Sequence, residues 1–281
     1  MQGRWTGFGA MLLLVVANGC AMQPHRTQSS LTGPRLVVSM TVQGSPLTGI
    51  GINPVYYYFF VINYAVNLPN QQPTPMGTQA APGPVAVFVP NGGPTGFVAS
   101  SDGSTFGYSD YVEFNNTLTQ GSGFGLFHFV HPNPNNLQEV QTAFNGQPAQ
   151  YAVVNGTTLQ FTIYLTQLIK AYDQEHQINQ TQAQMVQQAQ QIQFLQVNFI
   201  ATNTLDNTPG AAKATDALGT GFNSNYLILD LGQTLTSGGS INNGNAPQQV
   251  REPIGDVFTS GNVSADPSLD ISDWSIQYFT Q

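Results

Sequence analysis

The chain offers few residue groups able to do chemistry. His128 and His131, in "FHFVH", stand three apart. On a strand that odd spacing puts them on opposite faces, so they form no chelating pair. His128 shares a face with Phe124, Leu126 and Val130 and reads as a hydrogen-bonded core residue. Asp102, Asp110 and Glu113 fall in one expected hairpin. A carboxylate pair there could act as acid and base on a glycoside. Asp110 and Glu113 also face opposite ways, however, and turn-forming, solvated carboxylates account for all three more simply. Asp266, Asp270 and Asp273, in "ADPSLDISDW", offer oxygen ligands to a hard cation such as Ca²⁺, which takes about six to eight of them. The spacing is not that of an EF-hand loop, and turns at Asp-Pro and Ser-Asp also explain these residues. Tyr56, Tyr58 and Tyr64 share one face of an apolar run, and with Trp274 they are the candidate ligand-binding aromatics, since exposed Tyr and Trp can stack on sugar faces. No G-x-S-x-G, H-E-x-x-H, P-loop or dinucleotide fingerprint occurs, and "GSGFG" (121–125) lacks the basic residue and following helix of a phosphate cradle. No cofactor is expected, and the chain reads as a non-enzyme.

Composition narrows the partners. Charged residues are only 7% of the chain, against about 25% in ordinary soluble proteins. Six basic residues face fourteen acidic ones, for a net charge of −8. All of the acids lie at or after Asp102. A nucleic-acid binder needs a basic patch for phosphates, and none can be built here. Attraction to an acidic lipid surface is excluded on the same ground. Asn, Gln, Ser, Thr and Gly must wet the surface instead. Such groups do not titrate, so a weak response to pH and salt is expected.

The N-terminus reads as a leader. Arg4 gives a short positive region, and "AMLLLVVA" (10–17) is an apolar segment too short to span a bilayer, which takes about 20 residues. The segment ends in "VANGC", which resembles the lipobox of bacterial lipoproteins. Asn18 departs from the preferred types, and Leu is missing three positions before the cysteine. An ordinary signal peptide with a chance cysteine is the other reading. The resemblance implies a signal peptide over 1–19 and acylation (palmitate among the chains) at Cys20, the only cysteine. Several acyl chains, at about 0.8 kcal/mol per buried methylene, hold a protein durably at a membrane. Ala21, rather than Asp, after the cysteine implies the outer membrane. With Cys20 acylated no disulfide can form, and stability must come from the core.

The elements that must position the candidate groups follow from apolar segments set between turn clusters, a β signature. Residues 20–34 are polar and aperiodic and read as a tether. Strands are expected over 35–42, 55–66, 85–90, 96–100, 105–116, 123–131, 194–203 and 226–232, and in the closing "LDISDWSIQYF". The pair 96–100 and 105–116 reads as a hairpin about "SDGS", and 147–166 as two strands about Asn155-Gly156. The run 55–66 ("VYYYFFVINYAV") is apolar on both faces, so an inner strand is expected. Its outer face would be covered by the Pro-rich loop 67–84 or by a helix. Lys170 to Gln191 holds no Gly or Pro and is rich in Gln and Ala, with a thin apolar stripe. It reads as one surface helix started by Asp173, or else as a Gln-rich disordered loop. Together these predict a mainly β chain: a two-sheet antiparallel β-sandwich, jelly-roll or immunoglobulin-like, with one Gln-rich surface helix at about 170–191 in a single domain over 35–281.

"LQFTIYLTQL" (159–168), a helical insert and "FLQVNFIATNTLDN" (194–207) are similar to the second half of DOMON-like and family 9 carbohydrate-binding sandwiches, and "YYYFFVINYAVN" (56–67) resembles their early strand. The likeness covers about 60% of the mature chain and implies the fold. No functional residue is carried over. The early strand ends in Asn63 and Asn67 rather than aspartates, tryptophan pairs are lacking, and no Met and His match the haem ligands of relatives. Two functions follow as expectations. One is an outer-envelope, lipid-anchored binding module whose ligand is of polysaccharide type. The other is a structural or assembly lipoprotein that packs against envelope proteins through sheet edges or the Gln-rich helix.

Overall fold

Arg35–Val42 alternates polar and apolar residues, and the structure buries one face of it. Tyr57–Tyr64 is apolar on both faces, and almost every residue is buried. That contrast sets the architecture. The computed structural model describes residues 31–46, 54–64, 82–90, 95–101, 108–115, 117–118, 123–130, 141–154 and 156–281. The expected leader, Cys20, most of the tether, most of the Pro-rich loop, Asp102 and His131 lie outside the described residues.

Among the described residues the elements are β1 (Arg35–Val42), β2 (Tyr57–Tyr64), β3 (Pro84–Ala86), β4 (Val98–Ser100), β5 (Asp110–Asn115), β6 (Phe124–Val130), β7 (Gln141–Phe144), β8 (Gln150–Val154), β9 (Thr158–Tyr164), α1 (Leu165–Glu175), α2 (Gln182–Ala189), β10 (Phe194–Thr202), β11 (Lys213–Ala217), β12 (Gly219–Thr220), β13 (Asn223–Ser224), β14 (Leu227–Asp230), β15 (Ser240–Asn242), β16 (Phe258–Ser260) and β17 (Ile271–Phe279). One sheet has the order β15-β17-β1-β9-β8. The other has the order β16-β11-β10-β2-β5-β6-β7, with β14 also paired to β10. The ladders are antiparallel, and the two sheets face each other as a β-sandwich. The main core lies between them. It takes Leu36, Val38 and Met40 from β1, Tyr58, Phe60 and Ile62 from β2, Val197 and Phe199 from β10, and Trp274 and Ile276 from β17.

A second apolar cluster covers the outer face of β2. Phe59 and Val61 meet Phe97 and Val98 of the β3–β4 hairpin, along with Tyr111, Phe129 and Ile200. The rings of Phe59 and Phe97 stack with centroids 3.8 Å apart. The cover is therefore a hairpin of aromatic and aliphatic residues, not the helix. This also corrects the expected hairpin of 96–100 with 105–116. β4 pairs with β3, while β5 pairs with β2 and β6. The expected hairpin about Gly156 is present as β8–β9, with Gly156 at φ 66°.

The single expected helix is two. α1 ends at Glu175, and two residues on Gln177 takes a left-handed φ of 56°. The amide of Ile178 donates to the Asp173 carbonyl at 2.8 Å and that of Gln177 to Gln174, a Schellman closure. Glycine normally marks that motif; glutamine hides it. α2 then starts at the capping box Thr181–Gln184. Asp173 caps no helix start. It is buried within α1 and accepts from Gln180.

Candidate functional site

Two features stand out: an open groove and a buried group of carboxylates beside it. The groove, of about 680 Å³, runs between the β3–β4 hairpin and the residues around β13. Phe88, Phe222 and Tyr226 supply its rings, Asn223 and Asn225 its amides, and no lining residue is charged. Asn198 of β10 fixes the geometry. Its buried amide donates to the Pro84 carbonyl at 2.9 Å and to Ser224 Oγ at 3.0 Å. Ser224 Oγ also accepts from the Ala86 amide at 2.9 Å. These bonds clamp β3 against β13. The Tyr226 ring lies close over Gly83, where any side chain would collide with it. Phe222 is 57% exposed and rests on Phe88 and Phe258, with centroids 5.5 and 4.9 Å away.

The carboxylates come from three distant segments. Alternation along β11 sends Ala214 to the inter-sheet core and Lys213 and Ala217 outward, so Asp216 points inward with Ala214. Lys213 reaches the Gly96 carbonyl on the outer side instead. Burial drives its pKa down to about 8. Oxygens of Asp216, Asp256 and Asp270 lie within 4.8 Å of one another. The Glu252 carboxyl is set against those of Asp216 and Asp256. Backbone amides hold both oxygens of Asp216, through Ala217 and Ile271, both of Asp270, through Gly255, and one of Asp256. Ile271 donates to Asp216 at 2.6 Å, Gly221 to Asp256 at 2.7 Å and Gly255 to Asp270 at 2.9 Å. Asn243 accepts from the Glu252 amide at 2.7 Å and donates to its carbonyl at 2.9 Å, fixing the backbone there.

Electrostatics follow from burial. Desolvation pushes Asp216 up to about 8 against the amide of Ile271, with Asp256 and Asp270 adding repulsion. Desolvation, then the charges of Asp216 and Asp256, push Glu252 up to about 12. Asp270 is raised by desolvation first. Among the described residues no Lys or Arg pairs with the four. Arg251, next to Glu252 in the chain, turns away and donates to the Ala246 carbonyl at 2.8 Å. An oxygen-only donor set of this kind suits a hard cation.

The sequence candidates separate accordingly. Of Asp266, Asp270 and Asp273, only Asp270 joins the cluster. Asp266 accepts from the Tyr56 hydroxyl at 2.6 Å and the Ser268 amide at 2.7 Å, as a turn residue. Asp273 is exposed and accepts from the amide of Trp274. The companions of Asp270 are thus Asp216 and Asp256, not Asp266 and Asp273. Tyr56, Tyr58, Tyr64 and Trp274 do share a buried layer, but they form no exposed platform. The inner face of β2 is covered by the opposing sheet, and all four belong to the main core. The hydroxyls of Tyr58 and Tyr64 donate to the carbonyls of Ser268 and Leu168.

Asp110 and Glu113 are not solvated turn residues. Both are buried, Asp110 against His128 and Glu113 against Asn115. Desolvation lifts Glu113 to about 7. His128 is the hydrogen-bonded core residue expected. Its Nδ1 lies 2.9 Å from Asp110 and its Nε2 3.0 Å from Glu175.

Comparison with known proteins yields no match to this chain, whether to a family model, a curated protein or a solved structure.

Proposed function

We propose that the protein is a non-enzymatic, lipid-anchored binding module of the outer envelope, and that the groove beside β13 takes a neutral ligand of polysaccharide type. The single observation that carries this reading is the lining of the groove, rings and amides without charge. Aromatic faces suit the apolar faces of sugars, and amides suit their hydroxyls. The role of ligand platform thus passes from Tyr56, Tyr58 and Tyr64 to Phe222 and Tyr226. The lipobox-like "VANGC" supports anchoring through Cys20. No helix among the described residues is long and apolar enough to cross a membrane.

The test is a glycan array and pull-down on insoluble neutral polysaccharides with the full chain. Phe222→Ala and Tyr226→Ala should each weaken binding at least tenfold while far-UV circular dichroism stays unchanged, and Cys20→Ala should move the protein from the detergent phase to the aqueous phase. A folded protein that ignores every neutral glycan would sink the ligand reading. The assembly alternative draws support from β7, an uncharged edge strand whose four residues are all exposed. Self-association lost on a Thr142→Lys substitution would favour it.

A further inference from the structure

A carboxylate taken out of water needs a donor, a proton or a cation in return. Acidic residues often cluster in turns without any ion, so the proximity of Asp216, Asp256 and Asp270 does not by itself make a site. Glu252 adds an independent observation. It is only 4% exposed, and neither of its carboxyl oxygens receives an N–H or O–H donor; they lie against the carboxyl groups of Asp216 and Asp256, so only a shared proton or a cation can satisfy them. Oδ1 of Asp256 is likewise buried and unpartnered. The other oxygen of Asp256 and those of Asp270 are held by backbone amides of Gly221 and Gly255. The oxygens of Glu252 that meet no donor thus face Asp216 and Asp256, two of the three aspartates whose oxygens gather within 4.8 Å.

We propose that Asp216, Glu252, Asp256 and Asp270 bind one Ca²⁺ ion, which ties the hairpin carrying Phe222 to the body of the sandwich. The donor chemistry selects the metal. The four side chains supply oxygen alone, whereas Zn²⁺ favours His and Cys. Mg²⁺ keeps most of its water and uses about one or two carboxylates, whereas Ca²⁺ accepts about six to eight oxygens and bidentate carboxylates. The ligands arrive from β11, from the segment before β16 and from the entry to β17, so the ion would close three separate parts of the chain. The amide of Gly221, the residue before Phe222, donates to Asp256, which gives the ion a direct hold on one wall of the groove.

The experiment uses the full chain, stripped with EGTA and titrated with CaCl₂ by calorimetry and thermal melting near neutral pH. One ion should bind per chain, with a saturable rise in melting temperature, and Mg²⁺ should require at least tenfold higher concentration. Asp256→Asn should weaken binding at least tenfold. Glu252→Gln puts a neutral amide of the same shape in place of the protonated carboxyl, so in EGTA it should melt close to the parent while losing the calcium response. That combination separates a lost ligand from a damaged fold. If the parent shows neither heat nor stabilisation in millimolar Ca²⁺, protons hold the cluster and the proposal is wrong. It is equally wrong if calcium stabilises the parent and both variants alike. Neither readout involves a glycan, so the groove reading and the ion site can fail separately.

Discussion

The sandwich buries two acidic clusters and treats them differently. In one, Asp110 of β5 and Glu175 at the end of α1 flank the ring of His128. Both ring nitrogens face carboxylate oxygens, so both must donate, and the ring is an imidazolium. Burial alone would lower its pKa, but Asp110 and Glu175 outweigh burial and lift it to about 10. In the other cluster carboxyl groups face one another, and among the described residues no Lys, Arg or His pairs with them. The sequence holds only six Lys and Arg, and His128 is engaged in the first cluster. The first is a closed structural unit. In the second, carboxyl groups face one another with a proton or a cation needed between them, and that is why it, rather than the histidine site, is the candidate for binding.

The comparison is broken most directly by removing one group from each side. His128→Ala removes the cationic partner of the buried Asp110 carboxylate and one partner of Glu175, and losing one partner of a buried pair costs about 3–5 kcal/mol. Glu252→Gln in EGTA replaces a carboxyl that burial keeps protonated with a neutral amide of the same shape, and should cost little or nothing. Urea denaturation of the two variants beside the parent measures both. Equal losses would mean that the clusters are alike and that the four-carboxylate group is structural.

A smaller effect comes from pH. The folded pKa of His128, about 10, lies above the ordinary 6.5. The folded state therefore holds a proton that the unfolded chain gives up above 6.5. The stabilisation is complete below that pH and is lost as pH rises toward 10. Lys213 works the other way. Its folded pKa of about 8 lies below 10.5, so it favours folding as pH rises between those values. The stability difference between the parent and His128→Gln cancels the lysine, which both carry. That difference should shrink by roughly 1–2 kcal/mol from pH 6.5 to 8. Besides Asp110 and Glu175, the charged or titratable groups around this network are Tyr64, Tyr172, Asp173 and His176. Tyr64 and Tyr172 are raised by burial and stay neutral in this window. A flat difference would show that His128 is neutral. The amide-rich surface suggests indifference to pH, but the buried groups carry a dependence that composition does not reveal.

The same two clusters show what the sequence makes legible. Long alternating strands such as β1, β9 and β17 can be read directly, because one apolar face needs a core. β11 escapes. "KATDA" looks like a charged surface loop, yet all five residues are buried, since it lies between β10 and β16. Asp270 stands out as a candidate ligand, but spacing groups it with its neighbours Asp266 and Asp273. Its true companions come from β11 and the 252–256 segment, and only the tertiary fold brings them together. His128 is legible as a core residue from its apolar face, whereas its partner Glu175 lies across a strand-to-helix connection. The capping box at Thr181 was available as a signal for a second helix start; the left-handed Gln177 before it was not.

That residue supplies the finest test. Gln177 closes α1 two positions after Glu175, and a non-glycine residue in the left-handed region carries a strain of about 1–2 kcal/mol. Glycine removes the strain but loses more chain entropy on folding, so Gln177→Gly should stabilise by about 0.5–1 kcal/mol. The gain belongs to the end of α1 and should appear as slower hydrogen exchange in residues 172–178. Calcium affinity should not change, because the backbone bonds that close that turn stay within residues 172–178 at the end of α1. If this substitution shifts the calcium response as well, the two clusters are coupled through the core, and their separation into a closed unit and an ion site fails.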